Sequence, residues 1–392
     1  MVLGPDYAPC AVRVGLNLLF LVPGETGGTE VVARELIPRL VAAAPDLSFT
    51  AFVNRETARA GEGPWGDVIP AVTVPVRSSD RLQWIFGEQL LLPRLAERHG
   101  MALVHSLANT APARGRFRRV VTVHDLIHRV RPEAHFGARA LGMRGLVSLA
   151  VRRSDRVIAV SESTRADLVR YLRLAPERID VVAEGPGAAP AAGPVGEGDL
   201  RSTLALRDRR VLLSVSAKRP HKNLGRLLRA LAALPSAERP VLVLPGYPTE
   251  HQAELEDLAR GLGIDGDVRF LGWVSPETLE GLYALAAAFV YPSLYEGFGL
   301  PVLEAMARGV PIACSSTGAV AEVAGDAALR FDPGSEREIA AAVNRILSDA
   351  RLAEDLIGRG RARASQYTWE RTAQGTVASY RRALSGRPSP PA

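Results

Sequence analysis

The sequence predicts an α/β protein built from two doubly wound halves, each with a mostly parallel sheet covered by helices. Three observations carry this. Strand-length apolar runs alternate with helical patterns, which argues for parallel strands joined by crossover helices. The alternation stops in a stretch rich in Gly, Ala and Pro at residues 181–200, then restarts at Val211. A chain of 392 residues is also too long for one ordinary core.

In the first half, strands are expected at residues 12–22, 48–53, 68–74, 102–105, 120–124 and 156–160. Helices are expected at 31–41, 83–98, 138–152 and 163–172. In the second half, strands are expected at 211–215, 241–244, 268–271, 288–291, 312–314 and 328–331, with helices between them. Helical patterns run from Pro333 to about Arg363, and a last helix from Tyr367 to about Leu384. The implied organisation is a first domain over residues 1–182, a linker over 183–200 and a second domain over 201–366. The last helix over 367–385 and a disordered tail over 386–392 complete it, with residues 1–11 as a loose leader.

Composition narrows the function classes. An apolar fraction of 47% and a charged fraction of 23% are those of a soluble globular protein. No apolar run has the length of a membrane span, and the start lacks the pattern of a signal peptide. Cys10 and Cys314 cannot build a disulfide framework, which fits a reducing cytoplasm. The net charge is +6, with eleven arginines between Arg114 and Arg156. That run keeps open a peripheral membrane contact or an acidic acceptor. Nucleic acid is not expected, because no aromatic platform is interleaved with the charge.

Ligands of such sheets bind beyond the carboxyl ends of the strands. That rule places weight on His105-Ser106, His124-Asp125 and Ser161-Glu162 in the first half. His128 and His135 carry no motif and read as surface residues. No Cys or Glu stands at ligand spacing from these histidines, so no zinc site is expected. Gly27-Gly28 follow the first strand and precede a helix, the generic unit that cradles an anion. In the second half, Ala217-Lys218-Arg219-Pro220-His221-Lys222 follows the first strand. Lys222 is a compact charge suited to a diphosphate, and Arg219 can hold two oxygens at once.

The densest stretch is Tyr295-Glu296-Gly297-Phe298-Gly299-Leu300-Pro301-Val302-Leu303-Glu304-Ala305-Met306. Proline suits the first turn of a helix, and the glycines let the backbone approach a ligand. The helix start then presents free N–H groups and a positive dipole end to an anion such as phosphate. Glu296 and Glu304, as acceptor-only groups, suit sugar hydroxyls.

With seven residues between them, these two acids resemble the E-x7-E motif of retaining glycosyltransferases of the GT-B fold. The wording around them is similar to that of glycosyltransferase family 4. The resemblance implies two Rossmann-like domains facing an interdomain cleft. It implies a sugar moved from a nucleotide diphosphate sugar (GDP-, UDP-, ADP- or dTDP-linked) to an acceptor hydroxyl, with retention and without a metal or other cofactor. The acceptor would be a glycan, a lipid-linked sugar or a small natural product. Glu296 with the amides of Phe298 and Gly299 would grip donor hydroxyls, and Glu304 the ribose. Lys222, Arg219, the backbone at Leu300 and the helix start at Pro301 would meet the diphosphate. Gly272-Trp273-Val274 would line the base, while His124, Gly27 and Gly28 would close the site from the other domain. The family often carries an Arg five residues before the Lys or directly before it, where this chain has Ala217 and His221. Asp265-Gly266-Asp267 precedes a strand and reads as a turn, not a metal-binding D-x-D. Glu322 is expected to be exposed. The competing readings are a nucleotide-sugar epimerase of the same fold and a non-catalytic nucleotide-sugar binder.

Overall fold

The structure is a computed structural model that describes residues 11–24, 26–61, 67–131, 138–188 and 192–386. The expected leader up to residue 10, with Cys10, His135 and the tail beyond residue 386, lie outside the described residues. Among the described residues thirteen strands form two sheets, and every pair is parallel.

The first sheet contains β1 (Val12–Asn17), β2 (Leu47–Val53), β3 (Ala71–Thr73), β4 (Leu103–Ser106), β5 (Arg118–Val123), β6 (Arg156–Ala159) and β7 (Ile179–Val181). Their order is β3-β2-β1-β4-β5-β6-β7. The second contains β8 (Val211–Leu213), β9 (Val241–Leu244), β10 (Val268–Phe270), β11 (Ala286–Tyr291), β12 (Ile312–Ser315) and β13 (Leu329–Phe331). Their order is β10-β9-β8-β11-β12-β13.

Both orders reverse direction once, between β1 and β4 and between β8 and β11. The loops leaving neighbouring strands diverge there and open a crevice at the carboxyl edge. In the second sheet those loops carry Lys222 and Glu296. In the first they carry the Gly27-Gly28 turn and the segment after Ser106.

Side chains alternate across each strand, so both faces need cover. Leu212, Leu242, Leu244 and Val290 meet the helix Leu224–Ala232 on one face. Val211, Leu213, Val243 and Tyr291 meet Leu282, Val302 and Met306 on the other. The helix Leu224–Ala232 buries Leu224, Leu227, Leu228 and Leu231, an i, i+3, i+4, i+7 stripe.

Several expectations differ in detail. The run at 12–22 is strand only to Asn17, because the chain turns toward the crevice. The run at 83–98 is broken by a π turn at Gly87–Leu91. A Cβ at Gly87 would sit 2.7 Å from Val76, so only glycine fits that approach. The strand Ile179–Val181 was not expected as a strand and adds an edge to the first sheet. Asp265–Asp267 is a tight turn, and Asp267 pairs with Arg209 and Arg239.

The last helix, Trp369–Ser385, returns to the first sheet. Its Trp369, Ala373, Val377 and Tyr380 belong to the core of that half. Trp369 Nε1 donates to the Gly187 carbonyl at 2.9 Å and fixes the crossover against this helix. No helix among the described residues is long and apolar enough to cross a membrane.

Candidate active site in the cleft between the sheets

The strand β8 ends at Leu213, and a tight turn over Pro220–Lys222 lifts Lys222 above the sheet edge. Lys222 Nζ donates to Glu296 Oε1 at 2.6 Å and to the Tyr291 hydroxyl at 3.1 Å. Tyr291 also donates to Glu296 Oε1 at 2.8 Å. Burial works to raise the Glu296 carboxyl, but the Lys222 and His221 charges and the hydrogen bonds outweigh it and hold it below the usual range. Glu296 is therefore an ionised acceptor, and Lys222 keeps one of its three N–H donors.

Arg219 is exposed at the rim of the same loop. Among the described residues its side chain has no hydrogen bond or ion pair. His221 is buried instead, and its carbonyl accepts from the Leu294 amide at 2.8 Å. Ala217 offers no side-chain donor. Asn223 has φ of 60° and ties the loop to the carbonyls of Pro292 and Pro333.

Gly299 caps the helix Leu300–Ala307 with φ of +114°, a conformation that favours glycine. Pro301 lies in its first turn, so the helix starts where the sequence placed it. Phe298 is buried with its ring edge-on to Tyr367 at 5.9 Å. Glu304 Oε2 accepts from the Tyr283 hydroxyl at 2.9 Å. Burial raises its carboxyl, against the Arg308 charge and the Tyr283 hydrogen bond. The crossover glycine Gly187 lies over it, where an added Cβ would come within 2.0 Å of Glu304 Oε1. Gly272 and Trp273 are exposed beyond β10, and Trp273 stacks on Tyr247 with ring centroids 4.8 Å apart. Val274 is half-buried beside them.

From the other domain, His124 sits at the end of β5. Its Nδ1 is 2.9 Å from Glu184 Oε1, and its Nε2 is 2.7 Å from the Leu107 carbonyl oxygen. Both neighbours are acceptors, so both nitrogens carry protons. Burial disfavours the imidazolium, but the Glu184 bond and charge, the Leu107 carbonyl and Asp125 raise its pKa above the ordinary value. Asn109 holds the backbone on both sides of the ring. Asp125 caps the next turn through the Ile127 amide. A buried carboxyl, Glu88, accepts from Asn17 and Thr110 at 2.9 Å each and anchors the 107–110 loop. Burial pushes Glu88 up to about 7 despite those bonds. Gly28 approaches Leu300 across the cleft, with 3.4 Å left for a Cβ. Gly27 caps the helix behind it with φ of 66°.

The two domains meet on the glycine loop itself. Ser161 Oγ and Thr164 Oγ1 donate to the Gly297 carbonyl at 2.6 and 3.0 Å. A Cβ on Gly297 would lie 1.5 Å from the His124 carbonyl oxygen. Tyr295 donates to Asp167 at 2.7 Å and accepts from the Leu126 amide at 3.1 Å. Glu322 is not simply exposed. Its two oxygens accept from the Glu162 and Ser163 amides at 2.9 and 3.0 Å, capping a helix of the opposite domain.

Some expectations are corrected. His105 is buried between Tyr380 and Thr122 and serves the core. His128 is buried, not on the surface, because its short helix packs under Arg144, which donates to its carbonyl. Much of the arginine run is engaged internally. Arg118 pairs with Asp155, Arg156 with Asp180, and Arg129 with Ser148. Sequence reasoning missed Glu184, Tyr291, Asn109 and Lys218. Glu184 was the one legible hint, an acid at the start of a Gly- and Ala-rich crossover.

Residues 26–185 match the family model of Glycosyltransferase Family 4, and residues 198–363 that of Glycosyl transferases group 1. The chain belongs to glycosyltransferase family 4. The O-antigen chain mannosyltransferase B of Escherichia coli is 34% identical over 67% of this chain and 70% of its own length. The MMP alpha-(1->4)-mannosyltransferase of Mycolicibacterium hassiacum is 33% identical over 68% of this chain, which spans 66% of that relative. HepE of Anabaena, solved in complex with UDP-glucose, superposes with a TM-score of 0.74 at 21% identity, covering 94% of this chain and 98% of that one. The GT-B fold of this glycosyltransferase matches what the two sheets and their cleft already display.

Two outcomes follow from this geometry. Gly297→Ala should lower kcat/KM by about 100-fold or more, since misplacement by an ångström has that scale, while circular dichroism stays native. Glu184→Gln should move the His124 imidazole pKa downward in an NMR titration. In the wild type the raised pKa gives a stabilisation present below the ordinary histidine value and lost as pH rises through the folded one.

Proposed function

We propose that this family 4 glycosyltransferase moves a hexose from a nucleoside diphosphate sugar to an acceptor hydroxyl with retention, using its own cations in place of a metal. The observation that carries the reading is the Lys222–Glu296–Tyr291 cluster at the crevice of the second sheet, beside a glycine-capped helix start.

The departing diphosphate gathers negative charge as the glycosidic bond breaks, and fixed donors aimed at that charge lower the barrier. Lys222 is held by Glu296 and Tyr291 with one N–H to spare. The backbone at Gly299-Leu300 adds the positive end of a helix. Arg219 stands at the rim with a guanidinium to fold over the phosphates. Glu296, ionised and half-buried, accepts from sugar hydroxyls, and Glu304 does the same for the ribose.

Support for retention comes from His124. An inverting attack needs a general base on the acceptor side. Both ring nitrogens of His124 are committed as donors, to Glu184 and to the Leu107 carbonyl. An imidazolium so committed takes no proton from an acceptor, which argues against His124 as that base. A mannosyl donor is the first choice, since two relatives are named for that sugar.

The test is a panel of GDP-, UDP-, ADP- and dTDP-linked hexoses, with release of nucleoside diphosphate and the product anomer read by NMR. An α-linked donor should give an α-linked product, and Lys222→Met should cut kcat by about 100- to 1000-fold. A β-linked product would overturn retention. No release from any donor would overturn transfer.

A further inference from the structure

Lys218 precedes Lys222 by four residues, and unlike it is fully buried. Its Nζ donates to the carbonyls of Leu244 at 2.7 Å, Gly246 at 2.6 Å and Leu271 at 2.6 Å. An ammonium has three N–H groups, and each meets one carbonyl. A neutral amine would leave one carbonyl facing a lone pair, so the site is built for the charge even though burial brings the pKa down to about 8. No carboxylate shares this place among the contacts of Lys218, and burying a cation on neutral dipoles is costly. Such a device needs a reason beyond filling space.

The three carbonyls belong to the end of β9, the turn after it and the end of β10. The same two loops are cross-tied. The Gly246 amide donates to the Gly272 carbonyl at 3.0 Å, and the Lys218 amide to the Tyr247 carbonyl at 3.1 Å. Thr249 returns a hydroxyl to the Lys218 carbonyl. Gly246, with φ of +128°, presses so close to the Ser216 carbonyl that a Cβ would stand 2.3 Å from it. On top of this frame Tyr247 and Trp273 stack, and Trp273 is 62% exposed. An indole stacked on a tyrosine ring and left open to solvent offers a flat apolar face.

We propose that Lys218 is a positioning residue for the nucleotide base: its ammonium locks the 244–247 and 271–274 loops so that the Tyr247–Trp273 pair forms a fixed wall for the base of the donor. This rests on the donor-site reading above. It divides recognition in two. Lys222 and the helix start meet the diphosphate, while Lys218, on the same loop as Lys222, acts on the base through the 244–247 and 271–274 loops.

The experiment compares wild type with Lys218→Met, which keeps length and loses charge. Affinities for UDP, GDP, ADP and dTDP are measured by calorimetry, inorganic pyrophosphate is used as a base-free competitor, and kcat and donor KM are separated on the donor that turns over. The expected result is a tenfold or greater weakening of the preferred nucleoside diphosphate and a matching rise in donor KM. Pyrophosphate affinity should hold, and kcat should stay within about threefold, as for an interaction that binds without acting on the transition state. Equal weakening of pyrophosphate, or a change in thermal stability with no change in nucleotide affinity, overturns the role. If Lys218→Met does not fold, Trp273→Ala must show the same split between nucleotide and pyrophosphate, and its absence overturns the proposal. Failure of the wild type to bind any of the four diphosphates overturns the donor-site reading itself, an outcome distinct from a variant that matches a binding-competent wild type.

Discussion

The cleft depends on one close approach, Gly297 against the carbonyl of His124. With an added Cβ only 1.5 Å from that oxygen, the two backbones touch with no side chain between them. Around this point the hydroxyls of Ser161 and Thr164 grip the Gly297 carbonyl. The Tyr295–Asp167 bond and the Glu322 cap flank it. The loop that carries Glu296 is thus also the loop on which the domains meet. The domain contact and the crevice of the second sheet therefore share one element, so a change at Gly297 reaches the crevice directly.

A second regularity is that three cations at or under the cleft have fixed counterparts. Lys222 has Glu296, His124 has Glu184, and Lys218 has three carbonyls. Leaving such a charge alone in a buried site is expensive, so the partners hold the ionisation state as well as the position. Glu296 stays negative because Lys222 is beside it. Glu184 beside it raises the His124 imidazole pKa against the cost of burial. Arg219 differs, being exposed and without a partner among the described residues, which suits a group that moves onto an incoming anion.

Much of the fold was legible because strand runs and helical stripes obey periods of two and of about three and a half to four. The helix start at Leu300 was legible from Gly299 and Pro301, since cap and first-turn chemistry is local. What escaped was set by distant partners. Lys218 and Lys222 look alike in sequence, and only the folded β9 and β10 ends separate a structural ammonium from a cleft one. Glu322 looked like a solvated helix residue because the amides it caps lie 159 and 160 positions away. Ile179–Val181 is too short to announce itself as a strand without the neighbouring β6 edge. His124 was found as a residue, but its partner Glu184 sits in a crossover that reads as a tether.

Hydrogen exchange with and without a bound nucleotide sugar tests the central claim most directly. The Glu162 and Ser163 amides belong to one domain, and the amides from Phe298 to Leu300 to the other. The account predicts that donor binding protects both segments together, because the donor loop and the domain contact are the same element. Protection confined to the 298–300 segment, with Glu162 and Ser163 exchanging as before, would contradict it.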